Sequence, residues 1–170
     1  MKALKPIIAA LAAILATATA QAEKHAAAFL KSVEGYRART YKDATGKSTI
    51  GYGFTSADMI GQGSISRQNA SKALLRKCGE IKAQLRRELG NGVHLTQAEE
   101  TALVSFIYNV GFQTFKRSTM CRLLKRGERG ERVGNEFLKW VYVRKGNRKV
   151  VCRGLVRRRK RERNLFLKRG

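Results

Sequence analysis

The chain has 170 residues, 43% of them apolar, which is enough for one compact domain with its own core and excludes a disordered basic tail. Lysine and arginine number 36 against 12 acidic residues, a formal net charge of +24. An excess of that size argues against a surface charged for solubility alone and points to a polyanionic partner or an anionic surface: nucleic acid, lipid or cell wall.

At the N-terminus, Lys2 and Lys5 precede an uncharged apolar run from Pro6 that closes on Ala20-Gln21-Ala22. A charged start, an apolar middle and a small-residue cleavage site make a secretory signal. As a helix the run would span roughly 26 Å, marginal for a bilayer, and its alanines and threonines make it weakly hydrophobic. Residues 1–22 therefore read as a cleaved signal, with a weak membrane anchor as the alternative. In both cases residues 23–170 are exported, to the periplasm or beyond, or held at the inner membrane before release. Export counts against DNA as the working partner. In an oxidising compartment Cys78, Cys121 and Cys152 predict one disulfide and one leftover thiol, with all three pairings open. His25 and His94 are isolated and no C-x-x-C occurs, so no metal site is expected.

Residues 24–34 favour a short helix with Phe29, Leu30 and Val33 on one face and Gly35 as its stop. The helical period then disappears. Thr40-Tyr41 and Ser48-Thr49-Ile50 favour extended backbone around the turn residues Asp43-Ala44-Thr45-Gly46, which predicts a hairpin or a three-stranded sheet. From Ser66 to about Leu89 a long helix is expected, with Ala70, Ala73, Leu74, Ile81, Leu85 and Leu89 inward and Lys72, Arg76, Lys77, Lys82, Arg86 and Arg87 outward. Thr96-Gln97-Ala98-Glu99 is a capping box. The helix it opens, with Leu103, Phe106, Ile107 and Val110, is the best candidate for the core. Further helices are expected near 118–126, 130–140 and 156–167, with a short hairpin around Lys145-Gly146-Asn147. The fold class is α+β, mostly helical. A small β-containing lobe (about 35–65) joins through the long helix (about 66–89) to a larger helical lobe (about 94–170), leaving a cleft suited to a polymer.

Glu34 and Asp43 are acids set among Arg37, Arg39, Lys42 and Lys47. Glycoside hydrolysis uses two carboxyl groups with opposite duties, one protonated and one ionised. Glu34 follows apolar residues at a helix C-terminus, where the helix dipole disfavours further negative charge. Asp43 sits in a polar turn beside lysines, which favours its ionised form. Thr49, on the returning strand, supplies a hydroxyl able to help hold a water.

Glu34, Asp43 nine residues on, Thr49 six further, then Ile50-Gly51-Tyr52-Gly53, together resemble the catalytic stretch of phage-type lysozymes, glycoside hydrolase family 24. Phe106-Ile107-Tyr108-Asn109-Val110-Gly111, Phe115 with Ser118, Trp140, and Gly154-Leu155-Val156-Arg157-Arg158-Arg159 with Glu162 and Leu165-Phe166 continue the resemblance in order. It spans about residues 24–167. It implies a lysozyme-like fold and a muramidase that cuts the β-1,4 bond between N-acetylmuramic acid and N-acetylglucosamine in bacterial peptidoglycan. Glu34 would be the general acid. Asp43 with Thr49 would activate water on the opposite face, giving inversion. Tyr108, Asn109 and Ser118 would line the saccharide cleft. No cofactor or metal is implied, and a monomer is expected. Of the Arg157–Arg159 run, one arginine is a candidate partner for Glu34 and the rest reads as a solvated basic face. Leu155, Leu165, Phe166 and Leu167 are candidate membrane contacts of a basic amphipathic helix. Phe54 stands where many relatives carry His after the G-x-G. The competing reading is a non-catalytic cationic wall- or membrane-binding protein on the same scaffold, which would have no need of Glu34, Asp43 and Thr49 together.

Overall fold

The computed structural model describes residues 21, 23–43 and 46–168, so the export segment and the tip of the Asp43 turn lie outside the described residues. The first helix, α1, covers residues 23–34. Its buried face is Ala26, Ala27 and Leu30, while Phe29 and Val33 are half-buried. The antiparallel strands β1 (Arg37–Lys42) and β2 (Ser48–Gly51) follow, paired Tyr41 to Thr49 and Lys42 to Ser48. This is the hairpin of the two expected forms, with isolated bridges from Arg39 to Ser64 and from Ile50 to Phe54.

A short helix α2 (Ala57–Gly61) leads to α3 (Arg67–Leu89), capped by Ser66, whose Oγ accepts from the Asn69 amide at 3.1 Å. The expected inward face is buried apart from a half-buried Ala73. Lys82 departs from the expected solvated face: it is 5% exposed, and its Nζ lies 3.0 Å from Glu100 Oε2. A buried ammonium needs such a partner, because leaving water uncompensated is costly. The capping box opens α4 (Gln97–Val110) as expected, with Thr96 Oγ1 accepting from the Glu99 amide and Glu99 Oε2 accepting from the Thr96 amide. Every residue from Glu100 to Ile107 is buried. This helix is the centre of the core, and the C-terminal helix α8 (Arg153–Phe166) is the element it packs against most extensively.

Helices α5 (Phe112–Lys116), α6 (Thr119–Lys125) and α7 (Gly130–Phe137) wrap the core. The second hairpin, β3 (Tyr142–Lys145) with β4 (Arg148–Val151), stands where it is expected. The last helix, α8 (Arg153–Phe166), begins three residues earlier than its apolar period indicates. The cause is Cys152: its amide donates to Val141 O at 2.8 Å and closes the hairpin, so the chain turns into helix directly after it. Phe106, Phe137, Phe166 and Trp140 form an aromatic cluster beneath α8, with ring centroids 5.4–5.6 Å apart. Of the four apolar residues expected to meet a membrane, Phe166 is 2% exposed and belongs to the core, Leu165 and Leu167 pack against it, and Leu155 is half-buried.

The expected disulfide is absent: Cys78, Cys121 and Cys152 are free thiols. Cys78 and Cys121 face the core from α3 and α6 as small apolar groups, and Cys152 sits at the start of α8. Burial, then the nearby Glu23 carboxylate, pushes the Cys78 thiol up to about 12.

Candidate active site

Glu34 is the last residue of α1, and its side chain is 19% exposed. The loop after β2 is built around it. Ile50 and Phe54 exchange backbone hydrogen bonds at 2.9 Å, closing a tight turn over Gly51-Tyr52-Gly53. Gly53 takes a φ of +94°, and a Cβ there would lie 3.3 Å from Glu34 Oε2. Any other residue would be strained in the backbone and crowd the carboxylate. Gly51 is needed for the neighbouring ring, since a Cβ there would stand 3.0 Å from the Phe54 side chain. These two contacts explain the glycine spacing of Ile50-Gly51-Tyr52-Gly53.

Tyr108 on α4 locks this loop down: its hydroxyl donates to Tyr52 O at 2.8 Å, and Phe54 meets its ring edge-on at 6.5 Å. Burial first, then Glu34, pushes the Tyr108 hydroxyl above its ordinary pKa, so it stays a hydrogen-bond donor. Tyr41, the cross-strand neighbour of Thr49, adds the smallest contribution to the same rise.

Asp43 ends β1. Its Oδ1 accepts from the Lys47 amide at 3.0 Å, and its own amide donates to Lys47 O at 2.9 Å, so backbone bonds fix the acid in its turn. Thr49 is 3% exposed, and its hydroxyl donates to Lys47 O at 3.0 Å. With its proton used on the turn, Thr49 has only acceptor capacity left for a water.

Behind Glu34 lies a buried ionic cluster. Arg158 Nη1 donates to Glu34 Oε1, its Nε to Glu162 Oε1 at 2.9 Å, and its Nη2 to Ser105 O at 3.0 Å. Ser105 Oγ donates to the same Glu162 oxygen at 2.6 Å. Arg159 Nη1 donates to Glu162 Oε2 at 2.6 Å, its Nη2 donates to Asn109 Oδ1, and its guanidinium lies over the Phe106 ring. Burial opposes charge on Arg158, but Glu34 and then Glu162 outweigh it and hold its pKa above the ordinary value. Arg159 lacks a direct contact with Glu34, and burial pulls it down to about 10.

Glu34 and Tyr108 thus share one locus, and Asn109 reaches it through Arg159, Glu162 and Arg158. Ser118 is elsewhere: it is the N-cap of α6, with Oγ donating to Phe115 O at 2.6 Å and accepting from the Cys121 amide at 3.1 Å. It borders a shallow hollow with Gln113, Arg117 and Trp140. A larger hollow of about 520 Å³ is lined by Gly53, Phe54, Gln84, Tyr108 and Phe112 among others; Glu34 adjoins it through Gly53, and Asp43 and Thr49 do not line it. Of the Arg157–Arg159 run only Arg157 is exposed, which corrects the expected solvated face. Glu162 and Ser105 are the residues that sequence reasoning missed as site members. A signal was present: Glu162 is the one acid between Gly154 and Gly170, four residues after Arg158 and three after Arg159.

Helices around a carboxylate at a helix end, met by a glycine loop and a buried arginine, make the candidate site of an α+β, lysozyme-like fold. The phage lysozyme family model matches residues 31–162, and the chain belongs to that family. It is 40% identical over 140 residues to an endolysin of Bacillus phage B103, covering 81% of this chain and 51% of that protein, so it spans about half of that relative's length. It is 33% identical over 138 residues to a SAR-endolysin of bacteriophage PS119, covering 79% of this chain and 77% of the relative. Among solved structures, the muramidase domain of SpmX from Asticaccaulis excentricus superposes with a TM-score of 0.73 at 28% identity, covering 85% of this chain and 95% of that one.

Proposed function

We propose that the chain is an exported muramidase that hydrolyses the β-1,4 linkage between N-acetylmuramic acid and N-acetylglucosamine in bacterial peptidoglycan. One observation carries the reading: Arg158 occupies Glu34 Oε1, while Oε2 lies toward Gly53, a residue that lines the larger hollow. The transferable proton therefore rides on Oε2. It passes to the glycosidic oxygen as the bond to the anomeric carbon breaks, leaving a carboxylate that Arg158 neutralises. Asp43, with Thr49 as acceptor, takes a proton from water attacking the opposite face, which inverts the anomeric carbon. Tyr108 and Asn109 support the cleft beside Glu34, and Ser118 acts at its far end through the hollow it borders. Gly53 marks where the hairpin-containing lobe (about 35–65) meets the helical lobe (about 94–170) across α3.

Family membership, the muramidase among the structural neighbours, and the surplus of cations suited to carboxylate-bearing wall support this substrate. No helix among the described residues is long and apolar enough to cross a membrane. Residues 1–22 serve export, and the SAR-endolysin relative favours a tethered stage before release as the second form of that role.

Product analysis tests the proposal. Digestion of purified sacculi should create reducing N-acetylmuramic acid ends, and proton NMR of the first product should show the α-anomer. New N-acetylglucosamine ends, or a first product in the β-form, would contradict the bond or the inversion.

A further inference from the structure

Glu162 is fully buried and lies behind Arg158 as seen from Glu34, yet it organises both guanidiniums of the site. We propose that Glu162 is a positioning residue whose negative charge keeps Glu34 able to hold its proton. The inference rests on the reading of Glu34 as the general acid.

A general acid must begin protonated, whereas an arginine beside a carboxyl group favours the ionised form. Arg158 alone would therefore hold Glu34 as a carboxylate, and Arg159 adds to the same field. Glu162 opposes both. With Glu34 protonated, Arg158, Arg159 and Glu162 leave a single net positive charge; after proton transfer the buried cluster is neutral. Without Glu162 two unneutralised guanidiniums would face Glu34 from the protein interior, where screening is weak.

The groups around Glu34 leave this duty to Glu162. From α4 come Tyr108, a neutral donor, and Ser105 and Asn109, which do not titrate. From the loop after β2 comes Gly53. On α1 itself, Lys31 lies over the Tyr52 ring at 5.7 Å, and Arg161 of α8 is bound to Ser32 O at 3.1 Å; both are cations at the exposed edge. From α3, Cys78 approaches Tyr108 as a neutral thiol. From the first hairpin the other acid of the reaction, Asp43, is held in its own turn by the Lys47 amide. Glu162 is the anion in contact with both guanidiniums.

Geometry gives it the means. Its Oε1 fixes Arg158 Nε and Ser105 Oγ, and its Oε2 fixes Arg159 Nη1, so a single carboxylate sets the direction of both guanidiniums. The first then reaches Glu34 and the second Asn109 at the end of α4.

The pH dependence of kcat on purified sacculi distinguishes positioning through charge from packing. Glu162→Gln keeps the shape and removes the charge. Its alkaline limb should move down by about one pH unit, the size of effect a close charge produces. Glu162→Asp should leave the limb in place even where kcat falls. Arg159→Gln removes a cation and should move the limb the other way; it also serves if Glu162→Gln does not fold, as judged by thermal melting. Lowered kcat with an unmoved limb in both charge variants, or shifts of the same sign, would overturn the proposal. Glu34→Gln is the control. If it is inactive while the limbs do not move, Glu162 loses its role and Glu34 keeps its own; if it is active, the reading of Glu34 fails first.

Discussion

Two basic segments adjoin near the C-terminus, and they treat their charge in opposite ways. In α8, Arg158 and Arg159 are buried, and each meets Glu162. In the β3–β4 hairpin, Arg144 faces Lys149 and Lys145 faces Arg148, like charge opposite like charge, all exposed and with no acidic partner among the described residues. Like charges opposite each other on paired strands cost stability, so the hairpin's cations do not serve the fold. Those of α8 serve the fold and the site, because a guanidinium leaves water only when carboxylates and hydrogen bonds replace what it loses.

Breaking the buried side of this contrast should have the largest effect. Arg158→Met strands Glu34 and leaves Glu162 with Arg159 and Ser105 only, and should cost about 3–5 kcal/mol in urea denaturation. A loss below about 1 kcal/mol would mean the cluster is solvated and the contrast false.

A smaller effect is expected at Glu88, where Lys125 and then Lys116 hold the carboxyl below its ordinary pKa. A carboxyl lowered in the folded state stabilises above its unfolded pKa and loses that stabilisation as pH falls through the folded one. Glu88→Gln should therefore be less stable than the native chain at neutral pH by about 1 kcal/mol, the upper range for ion pairs with half-exposed lysines, and the gap should close in acid. A gap that widens in acid would reverse the sign.

At the hairpin, Arg144→Glu turns a repelling rung into an attracting one. It should raise stability by about 0.5 kcal/mol while weakening low-salt adsorption to sacculi. Lower stability would show that the hairpin's cations do support the fold. Least affected by any of this are the thiols. At pH 8 the half-exposed Cys152 should alkylate in the folded protein, and Cys78 and Cys121 only in denaturant; fast labelling of Cys78 would contradict its burial.

The contrast also shows what sequence can reveal. Periodicity identified α3 and α4 because each buries one apolar stripe, and the Thr96 capping box marked a helix start through local chemistry alone. Glu34, Asp43 and the glycine loop stood out as acids among bases beside unusual glycine spacing. The pairing of one arginine of the Arg157–Arg159 run with Glu34 was legible and falls to Arg158. Lys82 and Arg159 were misassigned to solvent: the partner of Lys82, Glu100, is remote in the chain, and Arg159 turns inward onto Glu162 and the remote Asn109. The expected disulfide failed for a related reason: counting thiols says nothing of where α3, α6 and the start of α8 direct them. The α2 and α5 helices, each five residues long and without a side-chain cap, carry too little pattern to be read.

The account depends on proton donation by Glu34 more than on any other step. The direct measurement is turnover of purified sacculi by Glu34→Gln, with binding to the same sacculi as the control for folding. The expected result is normal binding with reducing-end release lowered by at least about a hundredfold. Release at the native rate would contradict it.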